Sequence, residues 1–323
     1  YVGLITGLGL AEIGHHVINV DLDESRVGRL NLGQSPIYEE GIEPLLKKNL
    51  TAGHIQFTTG FAEAIVPSDV IFIAVGTPSN IDGHADLSQV IQAVEGLVVH
   101  LNNYKIIVLK STVPVGTVDL VRNLLSKAKE EGEEFDIVAN PEFLREGKGL
   151  RDFFYPDRIV VGAHSDKARL VMRELYKPII QHKATWIPGE GAVSESDHIP
   201  LIETDIASAQ MIKYASNAFL ATRLSFINEI AGLSERVGAD IKEVALGMGY
   251  DPRIGHSYLN AGLGFGGPCL EKDLLALVKI AERNDYAPTL LKSVLERNNR
   301  QIETVVSKVK ELTGQLLYKK VVA

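Results

Sequence analysis

Five short apolar runs, spaced so that helical segments fit between them, constrain this chain more than any other feature. They are Val17–Val20 (VINV), Asp69–Val75 (DVIFIAV), Lys105–Lys110 (KIIVLK), Asp136–Ala139 (DIVA) and Arg158–Gly162 (RIVVG). The intervening LSQVIQAVEGLVVHL and TVDLVRNLLSKAKEEG carry helical patterns. Strands that are apolar throughout and alternate with helices predict an α/β fold, a parallel sheet covered on both faces. A small-residue helix is expected over Leu4–Ile13, broken at Gly14 before the first strand. Farther on, Thr204–Gly238 has no proline and no internal glycine before Gly232, which predicts one long central helix capped by Thr204 or Asp205.

Length and composition narrow what such a fold can serve. A chain of 323 residues suits about two domains. Lys plus Arg number 33 against 41 Asp plus Glu, a formal charge of -8, which argues against nucleic acid as a partner. No apolar run is long enough to cross a bilayer and no signal-peptide pattern opens the chain, so a cytoplasmic protein without a membrane partner is expected. The single cysteine excludes an internal disulfide and a multi-cysteine metal site, and no metal is expected. Composition alone would make Cys269 a small buried hydrophobe. Its setting, GLGFGGPCLEKD, is unusual for that role.

The strand ends carry the first functional signal. Asp21 closes the first run, where an acid accepts hydrogen bonds from the adenosine ribose of a dinucleotide. Gly3 precedes it at the distance expected of the last glycine in a G-x-G-x-x-G turn. On this reading the chain opens inside that turn, with the first strand and the first two glycines cut away. The next three runs end in GTPSNIDG, STVPVGT and NPEFLREG, turn-forming stretches that place polar groups at one rim. On the long helix, Lys213 and Asn217 stand four apart amid apolar residues, so a substrate contact competes with simple snorkelling.

The segments YVGLITG…GHHVINVD, SPIYEEGIEPLL, DGHADLSQV, STVPVGT, NPEFLREG, MIKYASNAFLATRLSFINEIA, DPRIGHSYLNAGLGFGG and CLEKD occur in order from Tyr1 to about Asn298. With them the chain resembles the UDP-glucose/GDP-mannose dehydrogenase family, its UDP-glucose branch in particular. It departs at Arg223, where lysine is common, and at GPCLE, where GSCFP is common. The resemblance implies an NAD-binding Rossmann-like domain over 1–200 and a central helix with a dimerisation and catalytic region over 201–300. A truncated nucleotide-sugar-binding domain would start over 301–323, with LLYKKVVA as its first strand. A homodimer through the central helix is implied as well.

The same resemblance implies NAD-dependent four-electron oxidation of the C6 alcohol of a nucleotide sugar, UDP-glucose being favoured. An aldehyde has no hydroxyl to lose a second hydride from, so a thiolate must add, giving a hemithioacetal and then a thioester. Cys269 would supply it, near a helix start with Pro268 in the first turn. Asp273, one turn on, would need Lys213 to offset its charge. Gly264, Gly266 and Gly267 would let the backbone approach the sugar. By resemblance, Lys213 stabilises the oxyanion, Asn217 orients it, Asp273 and Thr112 position water, and Glu142 is the general base. Phe143, Leu144, Gly266, Arg253 and Tyr258 would meet the sugar nucleotide, Arg253 from a partner subunit. Val2, Gly3, Asp21, Arg26, Thr77, Thr112, Glu146 and Lys272 would lie along NAD. From the residues alone, Glu142 and Glu146 could equally be acids at a helix start. Open alternatives are a GDP-mannose or UDP-N-acetyl hexosamine enzyme, a two-electron 3-hydroxyacid dehydrogenase, and a binding or dimerisation module without catalysis.

Overall fold

The computed structural model describes residues 1–80, 82–181 and 198–314. The strand expected over 316–323 lies outside them. The chain divides into two units, one of Tyr1–Pro78 with Asp86–Lys213, the other of Ser79–Ala85 with Tyr214 onward.

In the first unit, α1 (Val2–Glu12) leads into β1 (Val17–Val20), α2 (Glu24–Asn31), α3 (Ile42–Ala52) and β2 (Ile55–Thr58). After α4 (Phe61–Ile65) come β3 (Val70–Ile73), α5 (Ser88–Val98), β4 (Lys105–Leu109), α6 (Thr117–Leu125) and β5 (Phe135–Ala139). Then follow α7 (Gly149–Phe154), β6 (Ile159–Ala163), α8 (Asp166–Ile180) and β7 (Leu201–Thr204). Strands β1 and β2 pair in parallel, and β3-β4-β5-β6-β7 form the larger sheet. Side chains of β4 explain its unbroken apolar character: Ile106 and Val108 enter one core cluster, Ile107 and Leu109 the other, on opposite faces of the sheet.

Two points differ from expectation. Strands β2 and β7 lie outside the runs expected from the sequence, since half of each is polar: Gln56 and Thr58 in β2, Glu203 and Thr204 in β7. And β6 runs antiparallel to β5, with Val138 opposite Ala163. A parallel return needs a helix that recrosses the sheet. The short α7 packs on α1 instead, and a Cβ built on Gly9 would stand 2.1 Å from Phe153. Similarly, a Cβ on Gly7 would stand 2.6 Å from the Asn19 amide, so both glycines let α1 lie close to its neighbours.

The second unit is helical. Helix α9 (Ile206–Val237) is 32 residues long; Asp205 caps it, accepting from Ser208 N at 2.8 Å and Ser208 Oγ at 2.7 Å. Its first two turns belong to the first unit and the rest to the second. Next come α10 (Ile241–Gly249), α11 (Leu270–Arg283) and α12 (Thr289–Thr313). Ala218 and Ala221 of α9 pack with Phe265, Leu274 of α11 and Val294 of α12 in a small core. Helix α12 runs unbroken across position 301.

Candidate active site

At the rim of the first unit, Asp21 follows β1 directly. Its Oδ2 accepts from Arg26 Nη1 at 2.7 Å and its Oδ1 from Asp23 N at 3.0 Å. That carboxylate raises the Arg26 guanidinium above its ordinary range. After β3, the buried Thr77 donates through Oγ1 to the Thr112 carbonyl at 2.9 Å, and Ser111 Oγ donates to the Val75 carbonyl at 2.6 Å. The loops that end β3 and β4 are thereby stitched together. Val2 and Gly3 form the first turn of α1. A Cβ on Gly3 would make only ordinary contact with Ala74 at 3.5 Å, so the protein's own packing does not demand glycine there. The bare backbone at a helix N-terminus fits a phosphate group, and the Asp21 carboxylate fits a ribose diol.

The NPEFLREG segment is a loop in the structure, which corrects the idea that Glu142 and Glu146 are acids at a helix start. Glu142 is 8% exposed; its Oε2 accepts from Leu144 N at 2.5 Å and its Oε1 from Lys213 Nζ at 2.9 Å. Lys213 is 5% exposed and also stands 5.4 Å from the Phe143 ring centroid, with the Arg158 guanidinium 3.8 Å from the same ring. Seventy-one residues separate Lys213 from Glu142, so no local pattern announces the pair. Glu146 is exposed.

In the second unit Cys269 is exposed and occupies the N-cap of α11, whose first helical residue is Leu270. Pro268 thus precedes the cap rather than filling the first turn. Asp273 N donates to the Cys269 carbonyl at 3.0 Å, one turn on. The Asp273 side chain is 1% exposed and engaged at both oxygens: Asn217 Nδ2 donates to Oδ2 at 2.6 Å and Lys272 Nζ to Oδ1 at 2.7 Å. Its counter-charge is Lys272, a residue that the resemblance places along NAD; Lys213, expected to offset it, is the partner of Glu142. The carboxylate also contributes to holding the buried Tyr214 phenol above its ordinary range, after burial itself. Arg253 is exposed and clasps Asp251 through Nη2 at 2.6 Å, while Tyr258 holds a positive φ of 60°. Gly266 is exposed, and a Cβ on it would meet nothing within 4 Å among the described residues.

Sequence reasoning passed over Lys110, Asn228, Asn298 and Gln301, all buried polar residues. The available signal was a polar residue at an apolar position of a strand or helix, which requires an internal partner. Among the described residues no group of three or more His, Cys, Asp or Glu is placed to hold a metal, and no helix is long and apolar enough to cross a membrane.

A glycine-bearing helix beside β1, an acid at the end of β1 and polar loops beyond β3, β4 and β5 define a dinucleotide-binding α/β protein of the dehydrogenase kind. Comparison with known proteins gives the family. Residues 1–180 match the NAD-binding domain of the UDP-glucose/GDP-mannose dehydrogenase family, and residues 207–300 match its central domain. The chain belongs to that family. It is 45% identical over 97% of its length to the UDP-glucose 6-dehydrogenase YwqF of Bacillus subtilis, covering 67% of that protein. The UDP-glucose 6-dehydrogenase of Rhizobium meliloti is 42% identical over 97% of the chain, which covers 69% of it. Among solved structures, a UDP-glucose dehydrogenase from the archaeon Pyrobaculum islandicum superposes with a TM-score of 0.88 at 38% identity, over 98% of this chain and 70% of that one. The chain spans about two thirds of the length of the curated relatives it matches.

Proposed function

We propose that this chain carries the cofactor and thiol machinery of an NAD-dependent UDP-glucose 6-dehydrogenase, which converts the C6 alcohol of UDP-glucose to a carboxylate. The observation that carries this reading is the sole cysteine at the head of α11, one turn before a buried carboxylate that Asn217 and Lys272 hold in place. NAD, when bound, accepts a hydride in each of the two oxidations. Val2, Gly3, Asp21, Arg26, Thr77, Thr112 and Glu146 are assigned to it, Asp21 facing the ribose.

The remaining roles fall to groups of this chain. Lys213 supplies positive charge to the oxygen of the reacting carbon. Once the C6 alcohol has lost a hydride from carbon and its hydroxyl proton to water, the Cys269 sulfur adds to the aldehyde carbon while the aldehyde oxygen takes a proton, giving a hemithioacetal. Loss of a hydride and a proton leaves a thioester. Water, deprotonated by Glu142, adds to that carbonyl and expels the thiolate, leaving the carboxylate. Asn217 and Asp273 act as a coupled pair, and Thr112 is assigned with Asp273 to the water. Phe143, Leu144, Gly266, Arg253 and Tyr258 are assigned to the sugar nucleotide.

Anaerobic turnover followed at the NADH absorbance tests the stoichiometry. Two NADH per UDP-glucose are expected, and none of the carboxylate product should form in Cys269→Ser. One NADH per sugar, or normal carboxylate formation by Cys269→Ser, would remove the thiol from the mechanism.

We also propose that the chain forms a homodimer along α9. Phe219, Phe226 and Leu233 recur every seven residues and are 61%, 48% and 55% exposed, an apolar stripe of the kind that a second helix covers. Sedimentation of Phe226→Glu should show monomer where the parent shows dimer.

A further inference from the structure

The loop that leads to Cys269 is held by side-chain amides that have no role in the account above. Phe265 N donates to Asn298 Oδ1 at 2.8 Å, and Asn298 Nδ2 donates back to the Phe265 carbonyl at 3.0 Å. Three residues further along α12, Gln301 Nε2 donates to the Gly262 carbonyl at 2.6 Å. Gly262 N in turn donates to Asn228 Oδ1, on α9, at 2.8 Å. Arg297 Nη2 ties the set together, donating to the Asn228 carbonyl and to Gln301 Oε1, both at 2.8 Å. The backbone donors and acceptors of Gly262 and Phe265 therefore go to side chains of two helices rather than to secondary structure.

Buried amides between helices cost solvation unless each is satisfied. Apolar side chains would fill the same space without that cost. What these amides satisfy is the loop backbone, and they shape it sterically too. Gly264 has φ +97°, and a Cβ there would stand 2.6 Å from Asn298 Oδ1. The clamp stops at Phe265, which is part of the core. A Cβ on Gly266 or Gly267 would meet nothing within 4 Å among the described residues. The chain is next anchored at the start of α11, where the Cys269 carbonyl accepts from Asp273 N at 3.0 Å. Gly266–Pro268 is thus a short open span between two held ends, and the position of the thiol depends on both.

We propose that Asn228, Asn298 and Gln301 are positioning residues for the thiol loop: they hold Gly262 and Phe265 so that the open glycines and Cys269 meet the sugar in a preset geometry. This rests on the reading above, in which Cys269 carries the acyl group and Gly266 meets the sugar.

Two near-isosteric substitutions dissect the clamp. Asn298→Asp keeps the acceptor for Phe265 N and loses the donor to its carbonyl. Gln301→Glu keeps the acceptor for Arg297 and loses the donor to Gly262. In the full chain, each should raise the KM for UDP-glucose and lower kcat, kcat/KM falling roughly tenfold or more, the scale of one lost buried hydrogen bond. The KM for NAD should stay within about twofold. Hydrogen exchange should rise over residues 262–268 and remain at parent levels in the β-sheet. If one variant does not fold, the other decides. Unchanged kinetics in a folded variant would overturn the proposal. So would equal losses for UDP-glucose and NAD with exchange raised throughout, which would mark a purely structural role. Cys269→Ser separates the underlying reading: if it still makes carboxylate, the thiol assignment fails, while the exchange pattern and UDP-glucose binding still decide the clamp.

Discussion

Lys213 and Glu142 form an ion pair at 2.9 Å with both side chains buried, so the proposed oxyanion cation and the proposed base neutralise each other before substrate arrives. Removing one partner strands the other charge in the interior, a loss of roughly 3–5 kcal/mol. Lys213→Met should therefore lower the urea midpoint sharply, and adding Glu142→Gln should recover much of that loss. Additive costs in the double-mutant cycle would show that the two charges are not coupled.

Glu142 should also be separable from the thiol. With the base removed, Glu142→Gln should still permit both oxidations but slow acyl release by about 10²–10⁴. Intact-protein mass after mixing with UDP-glucose and NAD should then reveal a covalent sugar, mapped to Cys269 by digestion. Normal hydrolysis with no adduct would move the base elsewhere.

Asp21 should set the cofactor preference. Its carboxylate suits a 2′-hydroxyl and repels a 2′-phosphate, so NAD should be used in preference to NADP. Arg26, held at 2.7 Å by that carboxylate, becomes available once the acid is removed. Asp21→Ser should narrow the NAD preference by improving kcat/KM for NADP. Equal use of both cofactors by the parent would contradict the assignment.

Lys110 gives a pH signature in stability. Its ammonium is buried against Asn140 Oδ1 at 3.0 Å, and burial pulls it from the usual 10.5 down to about 8. Between those values the unfolded chain binds more protons, so stability from this group rises with pH across the window. Below about pH 8 the cost of burying the charge is present in full. Lys110→Met should thus raise stability at pH 7 by up to roughly 3 kcal/mol, at 1.36 kcal/mol per pH unit, less the lost hydrogen bond. The advantage should shrink as pH approaches 10.5. Urea midpoints at several pH values measure it, and a pH-independent difference would reject this account.

Much of the architecture is local and so could be read from the chain. Strands β1 and β3 to β6, the small-residue α1 and the long α9 follow from apolar runs, helical spacing and the cap at Asp205. The thiol stood out because one cysteine beside glycines is a local oddity. Strands β2 and β7 escaped because two of the four residues in each are polar, IQFT and LIET, so neither reads as an apolar run.

Tertiary structure decided the rest. Whether β6 returns parallel or antiparallel depends on where α7 packs, and that is settled by Gly9 meeting Phe153 far along the chain. Which charge answers which was equally undecided: Lys213, expected to offset Asp273 beside the thiol, pairs with Glu142 instead, and Asp273 takes its neighbour Lys272. Asn298 and Gln301 read as ordinary polar residues of a helix until the loop they clamp folds onto them. Periodicity and turn chemistry act over a few residues, so the sequence by itself determines most of the elements and singles out the candidate thiol. The Lys213–Glu142 pair and the buried amides Asn217, Asn298 and Gln301 join residues tens of positions apart, so only the folded chain chooses their partners.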